Sequence, residues 1–149
     1  MDLNAVGAVE FGRSLEGLGL NLLVRDVGAS VTVMQGVFGM EAFQPTEDFA
    51  IMSLGDLTLQ LHADHTYHAH PLLSVLPESG ARGAGAQFHL FEVDPDQAAA
   101  AAATFENLVI LQEPTNKPHG LREAFILDGD GYCWVPSRRL TDEEVEALG

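Results

Sequence analysis

The sequence predicts an α+β fold made of two copies of one βαβββ unit. Three observations carry that prediction. Two short apolar stretches, residues 19–25 and 87–93, each run into a helix-start signal; each helix is followed by three further extended stretches; and Val24 aligns with Val93, so the second half repeats the first.

In the first copy, residues 19–25 have the leucine and valine content of a buried strand, and Asp26 stands where its carboxylate can cap a helix over residues 27–40. Val31, Met34, Val37 and Phe38 recur at helical spacing and predict the face turned to the core. Beyond Gly39 the extended stretches are residues 41–44, 49–54 and 57–62, the last two joined by the hairpin signal Gly55-Asp56. The second copy opens with residues 87–93. Asp94-Pro95-Asp96-Gln97 then combines a capping residue, proline at the first helical position and a glutamine placed to close a capping box. The alanine-rich helix that follows is expected to end near Asn107, and strands at 108–112, 123–127 and 132–136 complete the copy, with Trp134 in the core. Residues 1–18 read as an extra strand or arm. Thr141-Asp142-Glu143-Glu144 reads as a capping box that opens a short helix within residues 137–149.

Composition narrows the function classes. At 149 residues, 46% apolar and 19% charged, the chain has the length of one globular domain and enough apolar content for a core. The alanine stretch 98–103 falls far short of the roughly 18 to 20 apolar residues that span a bilayer, and Asp2 and Glu10 argue against an export signal. The lone Cys133 cannot form an internal disulfide and reads as a small buried residue in a reducing compartment. Twenty-two acidic against seven basic residues give a net charge of −15, which repels phosphate backbones and anionic lipids. A soluble, cytoplasmic protein without nucleic-acid or membrane partners is expected. The same charge serves solubility or attracts cationic ligands.

The stretch Lys117-Pro118-His119-Gly120-Leu121-Arg122-Glu123-Ala124-Phe125-Ile126-Leu127-Asp128-Gly129-Asp130-Gly131-Tyr132 is the most specific in the chain. It reads as a loop, a strand with Ala124 and Ile126 on one face, a glycine turn and a second strand. It resembles the closing hairpin of the vicinal oxygen chelate superfamily, which includes glyoxalase I, extradiol dioxygenases and the fosfomycin and bleomycin resistance proteins. The pattern Lys-Pro-Trp-Gly-x-Arg-Glu-Phe followed by Asp-Pro-Asp-Gly is closest to the bleomycin-resistance branch, with His119 in place of the tryptophan. The resemblance covers residues 19–136: module one about 19–62, a connector 63–85, and module two about 86–136. It implies paired βαβββ modules curled into a half-barrel around a ligand cavity, and a homodimer.

The resemblance also implies where a metal would sit. In metal-dependent members the ligands come from the starts of the first strands of both modules, usually His or Gln, and from the ends of both fourth strands, usually Glu. Counting back from Val24 and Val93 gives Gly19 and Phe88. Counting forward from Asp130-Gly131 gives Val135, whose first-module equivalent is Gln60. Only Gln60 carries a donor, whereas a catalytic divalent site takes three protein ligands, so no metal is expected at the usual site and no cofactor is assigned. Should an ion bind, the donors are His62, Gln60 and His89, and the metal Zn, Ni, Mn or Fe. His89 shares a face with Phe91 and Val93, which reads as the helix-packed side, and a one-residue slip would instead turn it into the cavity. The run His62-Ala63-Asp64-His65-Thr66-Tyr67-His68-Ala69-His70-Pro71 reads as a polar crossover loop or as a metal site of another kind. His62 itself joins Thr58 and Gln60 opposite Leu57, Leu59 and Leu61, on the face expected to line the cavity.

The residues expected to contact a ligand are Asn21, Thr58, Gln60, His62, Phe88, His119 and Arg122. Arg122 and Glu123 point to opposite faces, so one of the two is internal. Two functions are open: a non-catalytic binder of a small cationic or aromatic molecule, like the bleomycin-resistance proteins, or a metal-dependent lyase or dioxygenase using a divalent ion as Lewis acid. The ligand count favours the binder.

Overall fold

Caps and hairpin turns set the element boundaries. The structure, a computed structural model, describes residues 1–149. The order is α1 (Ala8–Ser14), β1 (Asn21–Val24), α2 (Val27–Phe38), β2 (Glu41–Phe43), β3 (Phe49–Leu54), β4 (Leu57–Ala63), two 3-10 turns (Asp64–Tyr67 and Pro71–Val75), β5 (Phe88–Phe91), α3 (Pro95–Ala102), β6 (Val109–Asn116), β7 (Leu121–Leu127), β8 (Cys133–Arg139) and α4 (Asp142–Ala147). Asp26 caps α2 by accepting from the Ala29 N–H at 2.9 Å, and Gly39 closes it in the left-handed region at φ 70°. Asp94 caps α3 by accepting from Asp96 and Gln97, with Pro95 at the first position. Thr141 and Glu144 form the expected capping box on α4.

The chain divides into two compact units, Met1–Gln35 with Gly39–Leu76 and Gly36–Phe38 with Pro77–Gly149. Each holds one βαβββ sheet of four strands, ordered β1-β4-β3-β2 and β5-β8-β7-β6, with the first strand parallel to the fourth. The sheets are open and neither closes into a barrel.

In the first unit one sheet face carries Leu22, Val24, Ala50, Met52, Leu59 and Leu61, all buried. Strand register places Asn21, Phe49, Ile51, Thr58, Gln60 and His62 on the other face. That second face is partly covered by the chain's own N-terminus. Within residues 1–18, expected as an extra strand or arm, Ala8–Ser14 form helix α1 rather than a strand. Val6 and Phe11 pack on Ile51, with Leu3, Phe43 and Phe49 around them. Gln44, held at φ 49°, fixes the segment by donating from Nε2 to the carbonyls of Leu3 and Val6 at 2.7 and 3.0 Å.

In the second unit α3 packs on β6, β7 and β8. The face turned to it carries Leu90, Ala124, Ile126 and Trp134, each 2% exposed or less. The ring of Trp134 meets Phe38 and Phe88 with centroids 5.6 and 5.0 Å away, and its Nε1 donates to Asp128 at 2.8 Å. Burial pushes the Asp128 carboxyl up, while hydrogen bonds from Trp134 and from the Tyr132 and Asp130 backbone oppose that shift. The glycine of the turn is required. At Gly131, φ 88°, a Cβ would lie 2.2 Å from the Ala81 Cα, so any side chain would push residues 81–82 off the hairpin.

Several boundaries differ from expectation. Helix α3 stops at Ala102 rather than near Asn107, because Thr104 and Phe105 turn back to the carbonyls of Ala101 and Ala102. Strand β6 continues to Asn116 through two register shifts, one between Ile110 and Gln112 and one between Gln112 and Thr115 that spans Pro114, and β8 runs on to Arg139. Strand β5 is only four residues long. It ends because Glu92 takes the left-handed region at φ 65°, which places Val93 outside the strand.

Candidate ligand-binding site

Because Val93 lies outside β5, the helix caps rather than the valines set the count that locates the site. Asp26 and Asp94 are both helix caps, so the two copies align 68 positions apart, Asn21 with His89 and Val24 with Glu92 rather than with Val93. The ladders agree: Asn21 pairs with Gln60 and His89 with Val135. The reading of His89 as helix-packed is therefore wrong. Leu90, at 2% exposure, holds that side, while His89 lies with Val135 on the face away from α3. Phe88, expected to contact a ligand, belongs to the core side and packs against Trp134 and Tyr132.

Register gathers four polar side chains on this second face. Glu123 on β7 lies directly across from Ser137 on β8, and Ser137 pairs with Phe91 of β5, two residues beyond His89. Glu123 is 2% exposed and Ser137 is fully buried. The His119 Nε2 bonds Oε1 of Glu123 from the turn before β7. That turn is tight because the Gly120 N–H reaches the Lys117 carbonyl at 3.0 Å. His89 approaches from β5, with Nδ1 at 3.7 Å from Glu123 Oε2 and Nε2 at 3.1 Å from Gln87 Oε1. Both His89 Nδ1 and Ser137 Oγ are buried without a hydrogen-bond partner. An unpartnered buried polar atom costs about 1 to 3 kcal/mol, which marks the place where another molecule has something to gain.

Arg122 lies on the opposite face of β7, as alternation requires. Its Nε and Nη2 donate to the two carboxylate oxygens of Asp96 at 2.8 Å each, and Nη1 donates to Asn116 at 2.9 Å. The hydrogen bond from Arg122 holds the Asp96 carboxyl below its usual range. Arg122 thus clips β7 to the first turn of α3 and takes no part in the Glu123 cluster. Cys133 is half-buried, and burial raises its thiol above the ordinary value, the wrong direction for a nucleophile.

The first unit holds the other predicted residues. Thr58 and Gln60 border a cleft of about 370 Å³ whose other walls include Leu3, Phe11 and Leu15 of the N-terminal segment. Asn21 is exposed beside Gln60. The His62 ring lies between Phe49 and Tyr67, centroids 5.1 and 5.5 Å away, with Nε2 buried and unpartnered. Burial holds the imidazole below its ordinary pKa. The remaining connector histidines disperse: His65 bonds Asp48 at 2.6 Å, and His70 caps the second 3-10 turn by accepting from Leu72.

The usual metal positions do not fit a divalent ion. With the corrected alignment they fall on Gly19, Gln60, Gln87 and Val135, of which two carry no donor and two are neutral amides. Val135 fills the closing position with a fully buried isopropyl group. Nowhere in the structure are three His, Cys, Asp or Glu side chains disposed to hold a metal.

Comparison with known proteins agrees with this architecture. Residues 18–135 match the family model described as Glyoxalase/Bleomycin resistance protein/Dioxygenase superfamily. Among solved structures, a glyoxalase/bleomycin resistance protein/dioxygenase family enzyme from Burkholderia phytofirmans PsJN superposes with a TM-score of 0.67 at 19% identity, covering 81% of this chain and 96% of its own. The fosfomycin resistance protein FosX from Mesorhizobium loti gives 0.60 at 16% identity, covering 88% and 98%. TioX from Micromonospora sp. ML1 gives 0.55 at 21%, covering 85% and 98%. No curated protein matches the chain. Two βαβββ sheets of the same strand order, together with a family match over most of the sequence, make this chain a member of the glyoxalase/bleomycin resistance/dioxygenase superfamily.

Proposed function

We propose that this chain is a non-catalytic member of its superfamily that binds a small organic molecule, cationic or aromatic, on the second unit's sheet face. The observation that carries the reading is the pair of unpartnered buried atoms, His89 Nδ1 and Ser137 Oγ, beside the Glu123 carboxylate. A bound molecule would satisfy them, and the net charge of −15 favours a cation over an anion. The lyase or dioxygenase alternative has less support, because the positions that would hold its metal carry no carboxylate and no imidazole. In this reading the protein works as a cytoplasmic homodimer with no nucleic-acid or membrane partner. No helix is long and apolar enough to cross a membrane.

A thermal-shift screen of cationic, neutral and anionic aromatic molecules, with elemental analysis of the purified protein, tests the proposal. A ligand at about 100 times its Kd adds about 2.7 kcal/mol to stability, a shift easily seen in such a screen. Stabilisation by at least one small molecule without stoichiometric metal is the expected result. Stoichiometric metal accompanied by glyoxalase or dioxygenase turnover, or no stabilising molecule at all, would sink it.

A further inference from the structure

The N-terminal segment does not seat flat on the first sheet. Val6 and Phe11 pack on Ile51, but between the segment and β4 a cleft of about 370 Å³ stays open. That volume is at the small end of ligand pockets and suits one single-ring molecule. Its lining is mixed. Phe11, Leu15 and Leu20 supply apolar surface, and Thr58 and Gln60 line it from β4. Both are half-buried, and neither side chain makes a hydrogen bond within the chain, so a hydroxyl and an amide are free to donate and accept there. Two further lining residues, Glu16 and Asp56, are exposed carboxylates without an ion-pair partner, and no lysine, arginine or histidine lines the cleft. An anion is disfavoured in such a place. The polar residues are also spread along one direction. Asp56 stands in the hairpin turn, with Thr58 two residues on and Gln60 four, a run of roughly 13 Å in an extended chain. A molecule that meets both ends of that run carries a polar group at each end of its ring.

From this we infer that the first unit holds a further small-molecule site, beneath the N-terminal segment, for an aromatic amine that carries a hydroxyl at the opposite end of its ring. The hydroxyl meets Thr58 and Gln60, the ring lies against Phe11 and Leu15, and the ammonium faces Glu16 and Asp56. The inference goes beyond the binder reading, which concerns the second unit's sheet, and stands or falls without it. Tyramine is a probe with this chemistry. Phenethylamine lacks its hydroxyl, and 3-(4-hydroxyphenyl)propionate has a carboxylate in place of the ammonium. Each is titrated into the 15N-labelled full chain and into a Thr58→Val, Gln60→Leu double variant of nearly unchanged side-chain size, with amide spectra that also report folding. Tyramine should bind with a Kd below about 1 mM and shift the amides of residues 11–16 and 56–60. It should also slow hydrogen exchange in α1 by the factor 1 + [L]/Kd, because the segment cannot lift while a ligand lies beneath it. Phenethylamine should bind about five-fold more weakly, the worth of one hydrogen bond, and that gap should close in the double variant. The propionate should bind about ten-fold more weakly than tyramine, a difference that narrows in about 1 M salt as exposed charges are screened. The three ligands on the unaltered chain decide the matter even if the double variant misfolds. No tyramine binding at about 10 mM, equal binding of either analogue, a gap that persists in the folded double variant, or α1 exchange unmoved at saturation would overturn the inference. Amide shifts confined to β5 and β7 would overturn it as well, while supporting the binder reading, so the two fail separately.

Discussion

His62 shows what burial does to a titratable ring in this protein. Enclosed by Phe49 and Tyr67 with Nε2 unpartnered, it is held neutral, and its pKa is depressed from 6.5 by desolvation. As pH falls below 6.5 the unfolded chain takes up a proton that the folded chain still refuses, so stability present above 6.5 is lost on the acid side. His62→Phe keeps the ring and removes the proton site. Its melting temperature should fall less steeply than the wild type's between pH 6.5 and about 5, the range in which imidazoles titrate. Parallel profiles would show that His62 does not carry the acid sensitivity. At this scale the sequence was legible in part. Alternation alone separated Arg122 from Glu123, but both are charged, and nothing local said that the carboxylate would be the internal one. Its partners, His89 and His119, come from β5 and from the turn before β7, so only the sheet register brings the three together.

Helices with side-chain caps were readable, and the uncapped one was not. Asp26, Asp94-Pro95 and Thr141 announced α2, α3 and α4, whereas α1 starts at Gly7 with no side-chain cap bond and is only seven residues long. A helix of that length is held by packing rather than by propensity. Phe11, 7% exposed against Ile51, supplies much of that packing. Phe11→Ala should cost about 3 kcal/mol in chemical denaturation, the lower end for a buried phenylalanine. It should also raise proteolysis within residues 1–18. A loss under about 0.5 kcal/mol, the size of an ordinary surface change, would mean that α1 is not seated on the sheet.

For the whole molecule, the internal repeat and the hairpin motif were enough to identify the architecture, because two copies of one pattern constrain each other. Assembly is a separate question. Each sheet is open and so ends in edge strands, and in the second sheet Pro114 with two register shifts blunts β6. Light scattering at high micromolar concentration should give twice the chain mass, and a monomer would refute the proposed homodimer. Glu92 bears on how this chain is set against its relatives. The matched structures share 14 to 21% of its residues, so correspondence along them is inferred from columns of an alignment. Because the strand breaks off at Glu92, Val93 is no guide to its register, and a column that matches Val93 with Val24 is one place off throughout β5, which exchanges the strand's inner side for its outer side. Inheritance of binding residues across such distant lineages is better traced by counting from helix caps and strand ladders than by reading down a column.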